Sequence, residues 1–459
     1  MKKIFILFSA LLFTATMMAS CESPVTPEPE PQPQDSIPAE LQALKQSVVV
    51  TDNWVFDSKP SITIRIENPN VVSVDAAIKV SITTDQRRAA ATIEKTVSVA
   101  ANSSEDVVVT TDEALAPGFY KANCFVNQRI ARSFYFGINP TAIVSAPDKQ
   151  PDFDEYWAAA KEQLDSIDMN AQLTLLEKKS TDKRKIYLVE LQSVPDSPDG
   201  DPVIVRGYYA EPQDGQKHPV IMHFYGYDSQ NATSWPPCPG GNDSEYAEFF
   251  FSIRGQMLNN RGATHRYPDG KEEDFVNIYG DWFAYNFGVK DGYYYRGAFM
   301  DCVQAVRFMA TRETSDMTQL FAEGSSQGGA LSYAVAALSD YPFTAIAPCV
   351  AFLGDFPDYF NIVSWPAETA KANKGSMTDE EMYAFLSYFD TKNLATRISA
   401  AVIACSGLQD GTCPPHTNLA PYNNLLTEDK VIYYYPEMGH EIPSDWNKKI
   451  MTFFKERMK

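Results

Sequence analysis

The sequence predicts an α/β body built on a mostly parallel sheet, preceded by a small all-β sandwich. Three observations carry that expectation. Between residues 40 and 138 apolar side chains recur at every second position, the period of half-buried strands. From residue 186 onward short apolar runs recur at 186–191, 203–209, 220–224, 249–253, 320–322, 344–347, 401–405 and 431–435, with helical patterns between the later ones. Within that second block Ser326 sits in Gly324-Ser325-Ser326-Gln327-Gly328-Gly329, between the run at 320–322 and a small-residue stretch at 330–338. That order reads as a strand, a sharp glycine turn and a helix.

The chain has 459 residues, 44% of them hydrophobic, with 24 Tyr and 27 Phe, enough for two or three domains and a large core. Residues 1–21 read as an export signal. Lys2 and Lys3 precede an apolar run, and Met18-Ala19-Ser20-Cys21 resembles a bacterial lipobox, with Cys21 as the lipidation site. The alternative is an uncleaved anchor, but the run is short for a membrane span. The expectation is an exported bacterial lipoprotein, periplasmic or on the cell surface, meeting the membrane through its lipid anchor only. Residues 22–38 carry prolines at 24, 27, 29, 31, 33 and 38. They predict an extended tether of roughly 50 Å at ~3.1 Å per residue.

Residues 39–140 predict an antiparallel β-sandwich. Ile62, Ile64 and Ile66 alternate with polar neighbours, as do Ile78, Val80 and Ile82, and turn residues such as Asn68-Pro69-Asn70 and Pro117-Gly118 fall between the runs. This block contains no histidine and no catalytic grouping. It reads as a carbohydrate-binding module or as a spacing domain packed on the rest. Residues 141–459 form the α/β body. It opens with a helical face of Phe153, Tyr156, Trp157 and Ala160. Phe299, Val303, Val306 and Ala310 mark the helix before the Ser326 strand, and the stretch 353–397 reads as a lid-like insertion.

The chemistry is suggested by order along the chain. Asp410 follows the run 401–405, and His440 follows the run 431–435 in Met438-Gly439-His440-Glu441. Ser, then Asp, then His, each after a strand-like run, is the chain order of an α/β-hydrolase, whose nucleophile sits on a glycine elbow. A serine hydroxyl is a poor nucleophile at neutral pH and needs an adjacent base. Among five histidines, only His440 follows a strand in a Gly-His turn. His218 and His223 lie on opposite faces of one strand, His265 sits in a polar loop, and His416 lies beyond the Pro414-Pro415 turn. Asp355, Asp358 and Asp390 compete with Asp410 for the role of orienting acid.

Six stretches in order resemble the acetyl xylan esterase / cephalosporin-C deacetylase group, family seven of the carbohydrate esterases. They are Phe224-Tyr225-Gly226-Tyr227, Arg254-Gly255-Gln256, Tyr293-Tyr294-Tyr295-Arg296-Gly297, the elbow itself, Gly407-Leu408-Gln409-Asp410 with Cys413-Pro414-Pro415, and Gly439-His440-Glu441. The resemblance spans about 150–459 and leaves out the sandwich. Asp228-Ser229 and Met257 depart from the usual pattern. The resemblance implies an α/β-hydrolase fold and a serine esterase that removes acetyl groups from sugars, xylan or xylo-oligosaccharides above all. It implies catalysis by Ser326, Asp410 and His440 through an acyl-enzyme. Backbone donors from Tyr227 and Gln327 would form the oxyanion hole. Gly324 and Gly328 would shape the elbow. Arg254 and Gln256 would tie loops below the site or act directly. Relatives often form hexamers with sheltered sites, so a homo-oligomer is open.

Other classes are weighed against these residues. A net charge of −20 and no basic patch exclude a nucleic-acid partner. No H-E-x-x-H or other ligand spacing is visible, and the glycine pairs lack a phosphate-loop pattern, so neither a metal nor a cofactor is expected. The six cysteines after Cys21 show no C-x-x-C, and Cys405 with Cys413 is the first pair to examine for a disulfide. The alternatives are a peptidase, a broader carboxylesterase, and a non-catalytic glycan-binding surface lipoprotein.

Overall fold

The computed structural model describes residues 38–197, 199–227, 238–239, 245–259, 264–266, 272–274 and 279–459. The export signal, Cys21, the tether up to residue 37 and Asp228-Ser229 lie outside the described residues.

A short helix α1 (Ala39–Gln42) leads into eight strands: β1 (Lys45–Val49), β2 (Val55–Phe56), β3 (Ile62–Asn68), β4 (Val74–Thr84), β5 (Ala89–Val99), β6 (Ser103–Val109), β7 (Gly118–Val126) and β8 (Arg129–Ile138). They form one sheet in the order β1-β3-β6 and another in the order β2-β8-β7-β4-β5. Ile62, Ile64 and Ile66 of one sheet and Ile78, Val80 and Ile82 of the other are buried, as the alternation requires. Trp54 stacks on Phe134 between them, with centroids 4.1 Å apart. The expected antiparallel pairing holds except for the β2–β8 pair, which is parallel.

Helix α2 (Phe153–Asp165) follows and buries Phe153, Tyr156, Trp157 and Ala160. The body's sheet has nine strands. They are β9 (Gln172–Leu175), β10 (Arg184–Ser193), β11 (Val203–Pro212), β12 (His218–Phe224), β13 (Ala247–Ser252), β16 (Ser315–Ser325), β17 (Ala345–Cys349), β18 (Ala401–Gly407) and β19 (Lys430–Tyr435). A separate hairpin joins β14 (Thr264–Arg266) to β15 (Glu272–Asp274). The sheet order is β19-β18-β17-β16-β12-β13-β11-β10-β9. Pairing is parallel from β13 through β19 and antiparallel from β11 to β9. The mostly parallel reading therefore holds for the half that carries the elbow. Strand β9 is absent from the sequence reading because it is a short, largely exposed edge strand with no buried side chain.

Each face of the sheet is covered. Val220, Met222, Leu320, Ala322, Ile346, Val402 and Ala404 face one large core, which includes helices α3 (Tyr294–Ala310) and α4 (Gln327–Leu338). The alternate residues Ile221, Phe321, Ala345, Ala347 and Ile403 pack with Trp446, Ile450, Phe453 and Phe454 of α10 (Trp446–Lys455). Parallel strands buried on both faces read as continuous apolar runs, which is why they are legible in the sequence. Between β17 and β18 the stretch expected to be a lid folds as four short helices, α5 (Phe356–Ile362), α6 (Ala367–Asn373), α7 (Asp379–Leu386) and α8 (Thr391–Ala395). Helix α9 (Pro415–Asn423) joins β18 to β19.

The sandwich is tied to the body. The Tyr135 backbone N–H donates to Gln409 Oε1 at 2.9 Å, and Gln409 Nε2 donates back to the Tyr135 carbonyl at 3.0 Å. Arg132 pairs with Glu437 at 2.9 Å. Gln86 Nε2 donates to Asp358 Oδ1 at 2.8 Å.

Candidate active site

Strand β16 ends at Ser325 and α4 begins at Gln327, so Ser326 occupies the turn between them with φ 57° and ψ −121°. That is a strained conformation for a residue with a side chain, and its surroundings hold it there. The Ser326 N–H donates to the Cys349 carbonyl at 2.9 Å, and its own carbonyl accepts from Phe352 N at 3.0 Å. The turn is possible because its flanking glycines touch backbone. A Cβ on Gly324 would lie 2.5 Å from the Gly328 carbonyl, and one on Gly328 would lie 2.4 Å from the Phe224 carbonyl oxygen.

Three residues far apart in sequence meet here. His440 Nε2 lies 3.0 Å from Ser326 Oγ, and His440 Nδ1 lies 2.8 Å from Asp410 Oδ2. The other Asp410 oxygen, Oδ1, accepts from the backbone N–H groups of Thr412 and Cys413, each at 2.8 Å. Asp410's side chain is fully buried while His440's is 27% exposed. This carboxylate is held by hydrogen bonds at one oxygen and presents the other to the imidazole. That arrangement favours the tautomer with the proton on Nδ1 and leaves Nε2 free to accept one.

The competing acids lie elsewhere. Asp390 caps α8 and accepts from the backbone N–H groups of Asp355, Phe356 and Lys392. Burial pushes its carboxyl up to about 7, against the pull of Lys392. Asp355 and Asp358 face His416.

The turn after β12 lies against Ser326, since a Cβ on Gly226 would come within 3.8 Å of the Ser326 Cβ. Gln256 grips this turn from behind. Its Nε2 donates to the Gly226 carbonyl at 2.7 Å and the Tyr225 carbonyl at 3.2 Å. In a trans peptide the carbonyl and the following N–H point opposite ways, so anchoring the Gly226 carbonyl also fixes the direction of the Tyr227 N–H. Gln327 stands at the first turn of α4, where backbone N–H groups have no partner within the helix. Arg254 is fully buried. It donates through Nη2 and Nε to Asp301, through Nη1 to Asp196 and through Nη2 to the Val194 carbonyl, all at 2.7–2.9 Å. Of the two roles left open for Arg254 and Gln256, these contacts are structural.

Several neighbours were not legible. The Tyr227 ring lies 4.9 Å from Trp282 and 5.2 Å from Trp365, and Trp365 stacks on Phe352 at 5.3 Å. Trp365 comes from the insertion, and only its place in an aromatic-rich stretch hinted at this wall. Tyr227 Oη donates to Asp281 at 2.6 Å, and Tyr295 Oη donates to Gln327 Oε1 at 2.9 Å. A narrow cavity beside Asp410 is lined by Phe119 and Tyr135 of the sandwich and by Ile362 and Val363 of the insertion.

Cys405 and Cys413 do not face one another: Cys405 Sγ lies 3.1 Å from Cys349 Sγ on the neighbouring strand, and the buried Cys413 thiol lies against Ser326 and Tyr359. All six cysteines among the described residues are free thiols. The sequence shows no ligand grouping, yet the fold gathers Asp355, Asp358 and His416, with one ligand atom from each within 4.8 Å of the others. Asp355 and Asp358 share the start of α5, but His416 stands 61 and 58 positions further along, on α9, so local spacing could not reveal the group.

A family model described as acetyl xylan esterase (AXE1) matches residues 143–457. Among curated proteins, acetyl esterase Axe7A of Xylanibacter ruminicola is 24% identical over 358 residues, which is 75% of each chain. Among solved structures, an acetyl xylan esterase from a Paenibacillus species is 28% identical with a TM-score of 0.57, covering 69% of this chain and 98% of its own. Acetyl xylan esterase 1 from a Thermoanaerobacterium species is 26% identical with a TM-score of 0.57, covering 68% and 96%.

Proposed function

This chain belongs to the acetyl xylan esterase family and is a carboxylic ester hydrolase acting on acetyl esters, and from that premise we propose that it deacetylates sugars through Ser326, His440 and Asp410. The observation that carries the reading is the unbroken relay Ser326 Oγ – His440 Nε2, His440 Nδ1 – Asp410 Oδ2, at 3.0 and 2.8 Å on a strained elbow.

Ser326 Oγ attacks the acetyl carbonyl carbon while His440 Nε2 takes its proton. The oxyanion of the tetrahedral intermediate is met by the backbone N–H groups of Tyr227 and Gln327. Collapse breaks the bond to the sugar oxygen, which receives the proton from His440, and the acetyl group remains on Ser326. A water molecule, deprotonated by His440, then attacks the acetyl-serine; the bond to Ser326 Oγ breaks, acetate leaves, and His440 returns the proton to Oγ. Asp410 stabilises the imidazolium in both steps.

The substrate is an acetylated carbohydrate, and acetylated xylan or its oligosaccharides fit the family best. The close aromatic wall of Tyr227, Phe352 and Trp365 favours a small acyl group over a long one. We assign the protein to the bacterial envelope as a lipoprotein anchored through Cys21, where polymer-derived sugars are met. Substitution Cys21→Ala is expected to release it from membranes, and retention there would overturn the anchor.

The central test is Ser326→Ala. Turnover of p-nitrophenyl acetate and release of acetate from acetylated xylo-oligosaccharides are expected to fall by ~10⁴-fold or more. Wild-type-like turnover would refute the assignment. Failure of a fluorophosphonate to label Ser326 in the folded protein would favour a non-catalytic glycan binder. Butyrate or longer esters turning over faster than acetate would favour a broader carboxylesterase.

A further inference from the structure

The cluster of buried Asp355 and His416 with half-buried Asp358 lies beside the acid loop but is not part of the relay. His416 opens α9 and is 9% exposed, and Asp355 is 3% exposed. His416 Nε2 stands 3.1 Å from Asp358 Oδ2 and 3.6 Å from Asp355 Oδ2. It has no hydrogen-bond partner of good geometry, although it is buried. A cation holding nitrogen at ~2.0–2.1 Å and oxygen at ~2.0–2.2 Å in a tetrahedral arrangement separates neighbouring ligand atoms by about 3.3–3.5 Å. The two separations found here bracket that spacing.

Each ligand atom is also oriented from behind. Asp358 gives its other oxygen, Oδ1, to Gln86 Nε2 at 2.8 Å. Asp355 gives Oδ1 to Lys392 Nζ at 2.9 Å. His416 Nδ1 faces Asp85 Oδ2 at 3.3 Å, and that oxygen too is buried without a hydrogen-bond partner of good geometry. A carboxylate on the far nitrogen of a histidine fixes the tautomer whose near nitrogen can bind a metal. Three carboxylates, from Asp85, Asp355 and Asp358, converge on one imidazole, and Lys392 is the lysine paired with this group.

We propose that Asp355, Asp358 and His416 bind one divalent transition-metal cation of the zinc type, with Asp85 and Gln86 of the sandwich positioning the ligands. One imidazole with two carboxylates suits a borderline cation such as zinc or cobalt better than calcium or magnesium, which prefer oxygen alone. The site joins the β4–β5 turn, the start of the insertion and the helix that follows Asp410, so its role is to lock three segments together. The ester chemistry does not pass through it.

The test uses the full chain, stripped with chelator and dialysed, then titrated with cobalt(II) or zinc(II). The expected result is about one cation per chain, visible ligand-field absorption with cobalt, and a rise in Tm with either ion. His416→Ala and Asp358→Asn each abolish the cobalt spectrum, and Gln86→Ala weakens binding by ~10–100-fold. Stripped protein keeps its p-nitrophenyl acetate kcat below its Tm. The proposal is overturned if the wild-type chain binds no cation, in which case His416 is an imidazolium paired with the carboxylates. It is also overturned if cobalt binding survives both His416→Ala and Asp358→Asn.

Discussion

At the residue scale, the roles proposed for Asp410 and Gln256 both run through another group, and each makes a distinct prediction. In Asp410→Asn the amide oxygen can keep the Thr412 and Cys413 N–H groups, which turns the amide NH₂ toward His440 Nδ1. That forces the ring proton onto Nε2, where it blocks proton uptake from Ser326. The expected loss in kcat is ~10⁴-fold with the fold intact, measured by turnover beside circular dichroism. A loss under tenfold would mean that Asp410 does not set the tautomer. Gln256→Ala frees the Gly226 carbonyl and so loosens the direction of the Tyr227 N–H. Removal of a whole oxyanion donor costs ~10²–10³ in kcat, so a displaced one is expected to cost ~10-fold or more, mostly in kcat rather than KM. A pure KM effect would place Gln256 in substrate binding instead. Residue types and chain order made Ser326, Asp410 and His440 readable in the sequence. His416 was not readable as a ligand, because its partners come from Asp85, Asp355 and Asp358, which no local spacing connects.

At the scale of elements, the elbow and β12 are the parts whose packing is testable. Gly328→Ala would drive a Cβ into the Phe224 carbonyl and push α4 away from β12. Overpacking of this kind costs about 1–3 kcal/mol, and the elbow is expected to lose activity along with stability. A variant with wild-type denaturation midpoint and turnover would contradict the contact. On β12, His223 is held between Glu323 at 2.7 Å and Glu248 at 3.1 Å and stacks on Phe250. Burial opposes its charge, but the hydrogen bonds to the two glutamates prevail and push it up from 6.5 to about 9. The folded chain therefore binds this proton more tightly than the unfolded chain. Its contribution to stability is complete below pH 6.5 and is lost as the pH rises through about 9. Denaturation midpoints are expected to fall across that window in the wild type and to fall less in His223→Gln. Equal slopes would remove His223 as the cause.

For the whole molecule, the sandwich reaches the loops that carry Asp410 and His440. Gln409 precedes Asp410 and exchanges two hydrogen bonds with Tyr135, while Glu437 sits three residues before His440 and pairs with Arg132. Truncation to residues 139–459 is expected to lower Tm and to change kcat/KM for acetylated oligosaccharides more than for p-nitrophenyl acetate, because Phe119 and Tyr135 line the cavity beside Asp410. Light scattering on both forms reports whether assembly changes as well. If stability and both activities are unaltered, the sandwich is an appendage.

The sequence by itself determined the two-part layout, the glycine elbow, and the placing of Ser326, Asp410 and His440 each after a strand. Each rests on a local signal: a period of two, an apolar run bounded by turns, or a glycine pair around a serine. Only the tertiary structure decided which acid reaches His440, that Cys405 meets Cys349 rather than Cys413, and that a tryptophan from the insertion packs on the rings of Tyr227 and Phe352. Those outcomes depend on contacts between residues tens to hundreds of positions apart. Strand order and the seating of the insertion set such contacts, and a one-dimensional pattern carries no record of either.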